Sequence, residues 1–346
     1  MTSGAADALQ ARLDAWLPLG LGGSDAGLAP YEIDTACLPA TDHAALLAEF
    51  AHHRGLDAAW PAQPLISPRE LLAQLGPLRD AGPDAAFTLG ALLLPGHYGL
   101  ASQALLQAAS LPDMLALLCR HAGRLTPLLT PRLVMDEREL TLVWTDACGL
   151  PAGLRGFVVD LHMSAVASLC AWRAGRRLPW RFSFERTAPR DRAQHAVHLG
   201  TALHFGCQVD AMRLSRVEAD VRWPAAPGLA SAALARQADP QALRRGLLAA
   251  LGDRLLAQVA QPPSLETLAA ESGMSPATYK RRLARHGTHY QAEVDRLRAH
   301  VAVYLLGPDG WGRDRVAQAL GYFDGANFRR SFKRWTGLAP GAWAPG

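Results

Sequence analysis

Residues 321–337, GYFDGANFRRSFKRWTG, combine aromatic and basic side chains in a pattern that predicts a short amphipathic helix. Phe328, Phe332 and Trp335 are separated by four and three residues, so on a helix they share one face. No acid follows Asp324 in this stretch. The other faces instead carry one amide and four cationic side chains, namely Asn327, Arg329, Arg330, Lys333 and Arg334. Such a helix buries its aromatic face and leaves its basic faces for a polyanion.

The same pattern occurs earlier in the chain, which indicates an internal repeat. LETLAAESGMS (265–275) aligns with RDRVAQALGYF (313–323) at an offset of 48 residues. After one inserted residue, TYKRRLARH (278–286) aligns with NFRRSFKRW (327–335) at an offset of 49. Each copy predicts a short helix, a glycine turn and a second helix with an apolar inner face.

The turn residues of the repeat define the motif. Gly273 and Gly321 allow a positive φ where a side chain would be strained, so each ends its first helix. Ser275 and Asp324 are suited to cap the second helices, and Pro276 suits a first helical turn. Two helices joined by a short glycine turn form a helix-turn-helix, whose second helix enters the DNA major groove.

The segment between the two copies predicts a connecting helix. YQAEVDRLRAHVAVYLL (290–306) has helical periodicity over 17 residues, about 25 Å at 1.5 Å per residue. Successive major grooves recur about every 34 Å. A helix of that length therefore suits two reading heads on one face of DNA.

The charge distribution agrees with a DNA-binding C-terminal part. From residue 241 onward there are 15 Lys+Arg and 8 Asp+Glu, which leaves 20 and 23 for residues 1–240. A mildly acidic body thus precedes a basic, all-helical domain. The Pro-, Ala- and Gly-containing segment 223–241 predicts a linker between a domain at 1–222 and a tandem helix-turn-helix domain at 242–346.

The body, residues 1–222, predicts a mixed α/β (α+β) fold. Helical patterns dominate to about residue 125, and RLVMDERELTLVWT (132–145) predicts a β-hairpin with an acidic turn. A long helix at about 154–174 precedes a strand at WRFSFER (180–186), and residues 204–224 predict one or two short strands.

Composition favours a soluble protein of the cytoplasm. Hydrophobic residues make up 49% and charged residues 19%, as is typical of globular domains. The five cysteines are irregularly spaced, which argues against a disulfide framework or a cysteine zinc site. The N-terminus lacks the features of a signal peptide. Asp160 and His162 interrupt the apolar stretch at 157–172, so no membrane span is expected.

Two segments, SLETLAAESGMSPATYKRRLARHGTHYQAEVDRLRAHVAVYLL and VAQALGYFDGANFRRSFKRWTGLAP, resemble the tandem helix-turn-helix domain of AraC/XylS-type transcription regulators. This resemblance covers about 262–343. The body resembles the "arabinose-binding" N-terminal sensor domain of one AraC subgroup, whose ligands vary. That likeness rests on GHYGLASQALLQAASLPDMLALLCRH, the helix near 157–172 and HFGCQVDAMRLSRVEADV.

The resemblance implies residue roles at the DNA. The family's base-reading positions fall at Ala277, Lys280, Arg281, Ala326 and Arg330. Four further cations are expected to meet phosphates, namely Arg285, Arg329, Lys333 and Arg334. Alanine at 277 and 326 favours methyl contacts with thymine.

Three residues depart from the family pattern. Phe323 stands where the family usually has a small polar residue, and Gly325 loosens the start of the second recognition helix. We expect the second head to dock slightly differently for these two reasons. Tyr279 replaces a usual aliphatic residue in the first head.

The sequence therefore predicts a one-component transcription regulator without cofactor or enzyme activity. We expect its body to sense a small-molecule effector and to form a homodimer. We expect its tail to bind double-stranded operator DNA and either to contact RNA polymerase or to block it. One alternative is an enzyme body fused to a DNA-binding tail, as in alkyl-transferring repair proteins, with Cys207 near His204 as the reactive thiol. The other is a DNA-binding regulator that senses no ligand.

Two further groups of residues were considered for ligand binding. The spacing of His195, His198, His204 and Cys207 matches no zinc pattern, so no metal site is predicted. Six aromatic residues of the body either line an effector pocket or belong to its core. These are His97, Tyr98, Trp144, His162, Trp172 and Trp180, and no effector site is assigned among them.

Overall fold

The structure, a computed structural model, describes part of the chain as two compact units. The first unit ends at Ala249 and the second begins at Ala250. The described residues are 29–57, 60–95, 97–221, 223, 231, 233–234, 236, 243–307 and 310–341. The predicted linker at 223–241 lies largely outside them, so the predicted domain limits stay a prediction.

The first unit is built on a mixed sheet. Its strands in chain order are β1 (Leu38–Pro39), β2 (Leu65–Ile66), β3 (Leu129–Met135), β4 (Glu139–Asp146), β5 (Arg181–Phe184), β6 (Leu203–Phe205) and β7 (Asp210–Ser215). Five of them form one sheet in the order β3-β4-β7-β5-β6, in which only β5 and β6 pair in parallel. The short strands β1 and β2 pair separately and were not predicted.

The predicted hairpin is confirmed as β3 and β4, which pair antiparallel with Arg132 opposite Val143. Its turn is closed by a side chain, because Asp136 Oδ1 accepts hydrogen bonds from the backbone N–H groups of Arg138 and Glu139, both at 2.8 Å. An acidic residue at a turn commonly acts in this way. The strand predicted within 180–186 is also confirmed, as β5.

The helices of the first unit precede, separate and follow these strands along the chain. They are α1 (Thr41–His53), α2 (Pro68–Arg79), α3 (Ala85–Leu93), α4 (Gly99–Leu106), α5 (Leu111–Arg120), α6 (Ala122–Leu125), α7 (Ala152–Ala174), α8 (Ala193–Leu199) and α9 (Arg216–Ala219). The start of α2 is fixed by a reciprocal capping box, in which Ser67 Oγ accepts from Glu70 N and Glu70 Oε2 accepts from Ser67 N.

The long helix α7 belongs to the core of the first unit. Among the described helices it is the one long and apolar enough to cross a membrane, yet 67% of its apolar window is buried within the protein. It packs closely on α3, because a side chain at Gly90 would overlap the carbonyl oxygen of Leu161. Ser164 Oγ donates to the carbonyl oxygen of Phe87 at 2.8 Å across the same contact.

All regular structure described in the second unit is helical, which confirms the predicted all-α C-terminal domain. The helices are α10 (Leu247–Leu256, which begins in the first unit), α11 (Leu265–Glu271), α12 (Pro276–Arg285), α13 (Tyr290–Leu305), α14 (Arg313–Ala319) and α15 (Gly325–Thr336).

Helices α11 and α12, and likewise α14 and α15, form helix-turn-helix units with equivalent turns. Gly273 and Gly321 have φ values of +66° and +77°, as the sequence predicted. The residue after each glycine donates its backbone N–H to a carbonyl five residues earlier, Met274 to Ala269 and Tyr322 to Ala317, both at 2.9 Å. The 48-residue offset of the repeat is therefore a structural offset as well.

Side-chain caps begin both second helices. Ser275 Oγ accepts from Thr278 N at 3.2 Å, and Asp324 Oδ1 accepts from Asn327 N at 2.6 Å. The two caps lie 49 residues apart, which confirms the inserted residue in the alignment. Each cap satisfies a backbone donor that the helix itself leaves without a partner.

The two glycine turns differ in their surroundings. A side chain at Gly273 would meet open space, whereas one at Gly321 would overlap the backbone of Ala260, just beyond α10. Arg298 of α13 reinforces this joint, the contact between the Gly321 turn and the Ala260 backbone. Its guanidinium donates to the carbonyl oxygens of Val259 and Ala260 at 3.4 and 3.3 Å and lies 5.5 Å from the ring centre of Tyr322.

We predict opposite effects for alanine at two helical glycines of the first unit. Gly90→Ala forces α3 and α7 apart, and overpacking of this kind costs about 1–3 kcal/mol. Gly156→Ala on α7 meets nothing closer than Arg186 Cδ at 3.4 Å, so it gains up to about 1 kcal/mol of helix propensity. Thermal unfolding of the first unit measures both, and an unchanged midpoint for Gly90→Ala contradicts the close approach.

We predict a second contrast between the equivalent turns of the second unit. Gly273→Ala and Gly321→Ala both place alanine at positive φ, which costs about 1–2 kcal/mol. Gly321→Ala must in addition move the turn away from Ala260, so it destabilises the second unit distinctly more. Hydrogen exchange of the backbone amides in α14 and α15 measures the loss of stability. Equal protection in the two variants would contradict the close contact between Gly321 and Ala260.

Candidate functional sites

The second helix of each helix-turn-helix unit buries one face. Helix α12 buries Tyr279 and Leu283, and α15 buries Phe328 and Phe332 completely. Trp335 is half-buried at the edge of this small core, with its ring centre 6.1 Å from that of Tyr322. The predicted apolar face of α15 is therefore confirmed, and its opposite faces are left for a ligand.

All nine residues predicted to contact DNA are exposed on these two helices. The structure brings them together on two short segments of one unit rather than scattering them over its surface. They are Ala277, Lys280, Arg281 and Arg285 on α12, and Ala326, Arg329, Arg330, Lys333 and Arg334 on α15.

The side chain of Arg330 is held by a short chain of hydrogen bonds. Its guanidinium donates to Asn327 Oδ1, and Asn327 Nδ2 donates to Asp324 Oδ2 at 3.0 Å. Because Asp324 also caps α15, one carboxylate both starts the helix and orients the arginine. The sequence indicated the cap but not this second role.

Arg281 and Arg334 also have partners within the protein. Arg281 donates to Thr278 Oγ1 at 3.5 Å, a weak contact. Arg334 forms an ion pair with Asp295 of α13 at 3.0 Å, although its side chain remains 63% exposed. Contact between Arg334 and a phosphate therefore competes with an existing carboxylate.

The departures of the second head from the family pattern have different physical bases. Phe323 is fully exposed between α14 and α15. Gly325 lies beside α14, since a side chain there would come within 2.9 Å of Asp314 Oδ1. Because this oxygen ends a rotatable side chain, the contact favours glycine at 325 only weakly, and the internal packing gives no reason for phenylalanine at 323.

The four residues considered for a metal site do not form one. His195 is buried, with Nε2 3.3 Å from Asp160 Oδ2 and 2.8 Å from the Arg186 guanidinium. His198 stacks on Phe87, with ring centres 5.1 Å apart. Over the described part of the chain, no group of three or more His, Cys, Asp and Glu residues is arranged to hold a metal ion.

The candidate reactive thiol contacts the backbone of His204. Cys207 Sγ lies 3.6 Å from the carbonyl oxygen of that residue. Activation of a thiol requires a base or cation beside the sulfur. This contact provides no such activation and does not favour the enzyme alternative.

The aromatic residues considered for an effector pocket separate into different environments. Trp172 is 64% exposed, while Trp180 is buried beside β5. Tyr98, Trp144 and His162 are buried in the core of the first unit, and His97 is partly buried. The sequence alone could not separate these residues, because aromatic side chains are typical of both cores and pockets.

Comparison with protein families places both units. Residues 41–222 match the model of the arabinose-binding domain of AraC transcription regulators, N-terminal, and residues 268–345 match a helix-turn-helix domain model. The first match alone spans more than half of the 346 residues. Both agree with the domain types that the sequence indicated.

Similar proteins include several transcription regulators. An HTH-type transcriptional regulator of Mycobacterium tuberculosis is 28% identical over 80% of this chain and 81% of its own length. The ornithine utilization regulator of Pseudomonas aeruginosa is 26% identical over 75% of this chain and 77% of its own. The HTH-type regulator VqsM of the same species is 43% identical over 22% of this chain and 24% of its own.

The names of these relatives are those of regulators, and they do not favour an enzyme body. The DNA-binding function predicted from the repeat is thereby confirmed together with its family. The chain belongs to the AraC-type transcription regulators, in which a helix-turn-helix domain that binds DNA follows a domain of the arabinose-binding type.

Proposed function

We propose that α12 and α15 are the two recognition helices and that each enters a major groove of operator DNA. Their common construction supports this proposal. Each has a side-chain cap, a buried apolar face and an exposed face that carries the predicted contact residues. In a helix-turn-helix, the N-terminal residues of the second helix contact base edges.

The linker helix α13 suits this arrangement. Its 16 residues span about 24 Å, within the roughly 34 Å between successive major grooves. The ion pair between Asp295 of α13 and Arg334 of α15 ties the second recognition helix to the linker. The two heads therefore contact adjacent grooves on one face of the duplex.

Bases are read by charged and apolar side chains together. Lys280, Arg281 and Arg330 donate to guanine O6 and N7, and Arg330 is oriented for this before DNA arrives. The methyl groups of Ala277 and Ala326 contact thymine methyls. The exposed ring of Phe323 adds an apolar surface beside Ala326 of the kind that packs on a thymine methyl.

Phosphates are contacted by the remaining exposed cations. These residues are Arg285, Arg329, Lys333 and Arg334. Phosphate contacts set the position of the protein on the duplex and carry no direct sequence information. Their effect on affinity depends on salt, because each neutralised phosphate releases condensed counterions.

We further infer that the first unit binds a small-molecule effector and forms the homodimer, and that the protein acts in the cytoplasm, where it contacts RNA polymerase. The match of residues 41–222 to a ligand-binding domain type supports the sensing role. An effector controls DNA binding only through different affinities for the two conformations of the regulator.

Selection of binding sites from random duplex DNA by the full-length protein tests the two-head proposal. We expect a bipartite motif whose two parts are about one helical turn apart, as two heads in adjacent grooves require. A thymine is expected next to the part read by α15. A single short motif would contradict simultaneous binding by both heads.

Two substitutions on α15 separate base reading from phosphate contact. We expect Arg330→Ala to cost about 1–3 kcal/mol on the selected site and to relax preference at one base pair. Lys333→Ala should weaken binding to all sequences alike and reduce the slope of log K against log salt by about one unit.

Competition binding with single-base variants of the selected site, at several salt concentrations, measures both effects. Lys333→Ala serves as the matched control for Arg330→Ala, because both remove one exposed positive charge from the same helix. An equal loss on every sequence for Arg330→Ala would remove Arg330 from the base-reading set.

A further inference from the structure

Four ring-bearing side chains from separate elements lie together in the core of the first unit. The ring centre of His43 on α1 lies 5.4 Å from that of Tyr98, which directly precedes α4. The ring centre of Trp144 on β4 lies 5.6 Å from that of His162 on α7. Tyr98 and Trp144 belong to the same buried core, and a charge on His162 would lower the pKa of His43 across it.

Hydrogen bonding within this cluster is incomplete. The Tyr98 hydroxyl and the Trp144 Nε1–H are fully buried and have no hydrogen-bond partner in the described structure. Leaving a buried polar group unpaired costs about 1–3 kcal/mol, so native interiors seldom do so. Two such groups from different elements of one core leave hydrogen-bonding capacity that a bound molecule can complete.

The chemistry of the cluster limits what that partner can be. Trp144 Nε1–H is only a donor, so the partner must supply an acceptor, and Tyr98 can donate or accept. His162 Nδ1 lies 2.8 Å from the carbonyl oxygen of Val158, which assigns the ring proton to Nδ1 and leaves Nε2 as an acceptor.

The cluster also lacks a free charge for an ionic ligand. Burial lowers the pKa of His43 to about 3 and that of His162 to about 4, so both rings are neutral at physiological pH. The adjacent ions neutralise one another, because Arg124 donates to both carboxylate oxygens of Asp42 at 2.7 and 2.9 Å. An ionised ligand would remain uncompensated in the core.

We propose that His43, Tyr98, Trp144 and His162 form the effector-binding site and that the effector is a small uncharged molecule with a carbonyl or hydroxyl oxygen and an apolar body. Trp144 Nε1–H donates to that oxygen, and the Tyr98 hydroxyl binds the same or a second polar group. This inference rests on the proposed sensing function of the first unit.

Trp180 provides a matched control for Trp144. Its indole Nε1–H is also buried and has no partner among the described residues. It lies outside the cluster, as the pairing of the strands shows. Trp144 of β4 is opposite Asp210 of β7. Arg181, the residue after Trp180, is opposite Arg213 on the other edge of β7. Trp180 is thus about four residues, or about 13 Å, further along the sheet.

The test is thermal-shift and ligand-observed NMR binding of the full-length protein to a defined panel. The neutral members are cyclohexanone, cyclohexanol, phenol and γ-butyrolactone, and the charged counterparts are cyclohexanecarboxylate and cyclohexylamine. We expect neutral members to bind the natural protein. Tyr98→Phe and Trp144→Phe should weaken this binding at least fivefold, while Trp180→Phe should leave it unchanged.

Stability of the unliganded variants gives a second measurement. Tyr98→Phe removes a hydroxyl without a partner, so we expect no loss of stability. Trp144→Phe should cost no more than Trp180→Phe, which makes a cavity of the same kind. Lower stability of both cluster variants, with unchanged panel binding, would mean that ordered waters complete the cluster, and it would overturn the site.

The other outcomes are equally distinct. Preference for the charged counterparts, or binding of no panel member, overturns the ligand class. Binding that is unaffected by the cluster variants overturns the site but leaves small-molecule sensing intact. A different result would contradict the sensing function itself, namely that no small-molecule fraction of a bacterial extract changes binding to the selected operator.

Discussion

The packing of one glycine turn against a backbone carbonyl determines where the second reading head is held. Gly321 lies against Ala260 so closely that a β-carbon would overlap the backbone there. Arg298 covers the same point from α13, donating to the Val259 and Ala260 carbonyls while it stacks on Tyr322. Because Tyr322 and Phe328 contact each other edge to face, the position of α15 follows from this joint.

The repeat made most of the second unit predictable. Glycine, cap and aromatic positions each impose a local conformation that depends on few neighbours, so Gly273, Ser275 and Asp324 have the predicted roles. The repeat also made the two turns look equivalent, and they are not. Contact between Gly321 and Ala260 joins residues 61 positions apart in the chain, and no local pattern encodes it.

For the first unit, the sequence predicted helices and strands but no binding site. Alternation around an acidic turn indicated the β3–β4 hairpin, whose register buries Leu133, Leu140 and Leu142. The sequence marks Tyr98, Trp144 and His162 as aromatic residues of the body, whereas His43 is a single histidine in a helix and has no distinctive pattern. What distinguishes the cluster is an accounting of hydrogen bonds, which requires coordinates.

The ion pair between Arg334 and Asp295 changes what this arginine contributes to DNA affinity. A phosphate that takes over Arg334 releases condensed cations from the DNA, but it also leaves the Asp295 carboxylate without its partner. The Asp295 carboxylate keeps its hydrogen bond from Gln291 Nε2 at 3.0 Å but loses its cation, so the exchange offsets part of what the phosphate contact contributes to affinity. A phosphate contact by Arg334 therefore contributes less to affinity than the same contact by a cation without a carboxylate partner.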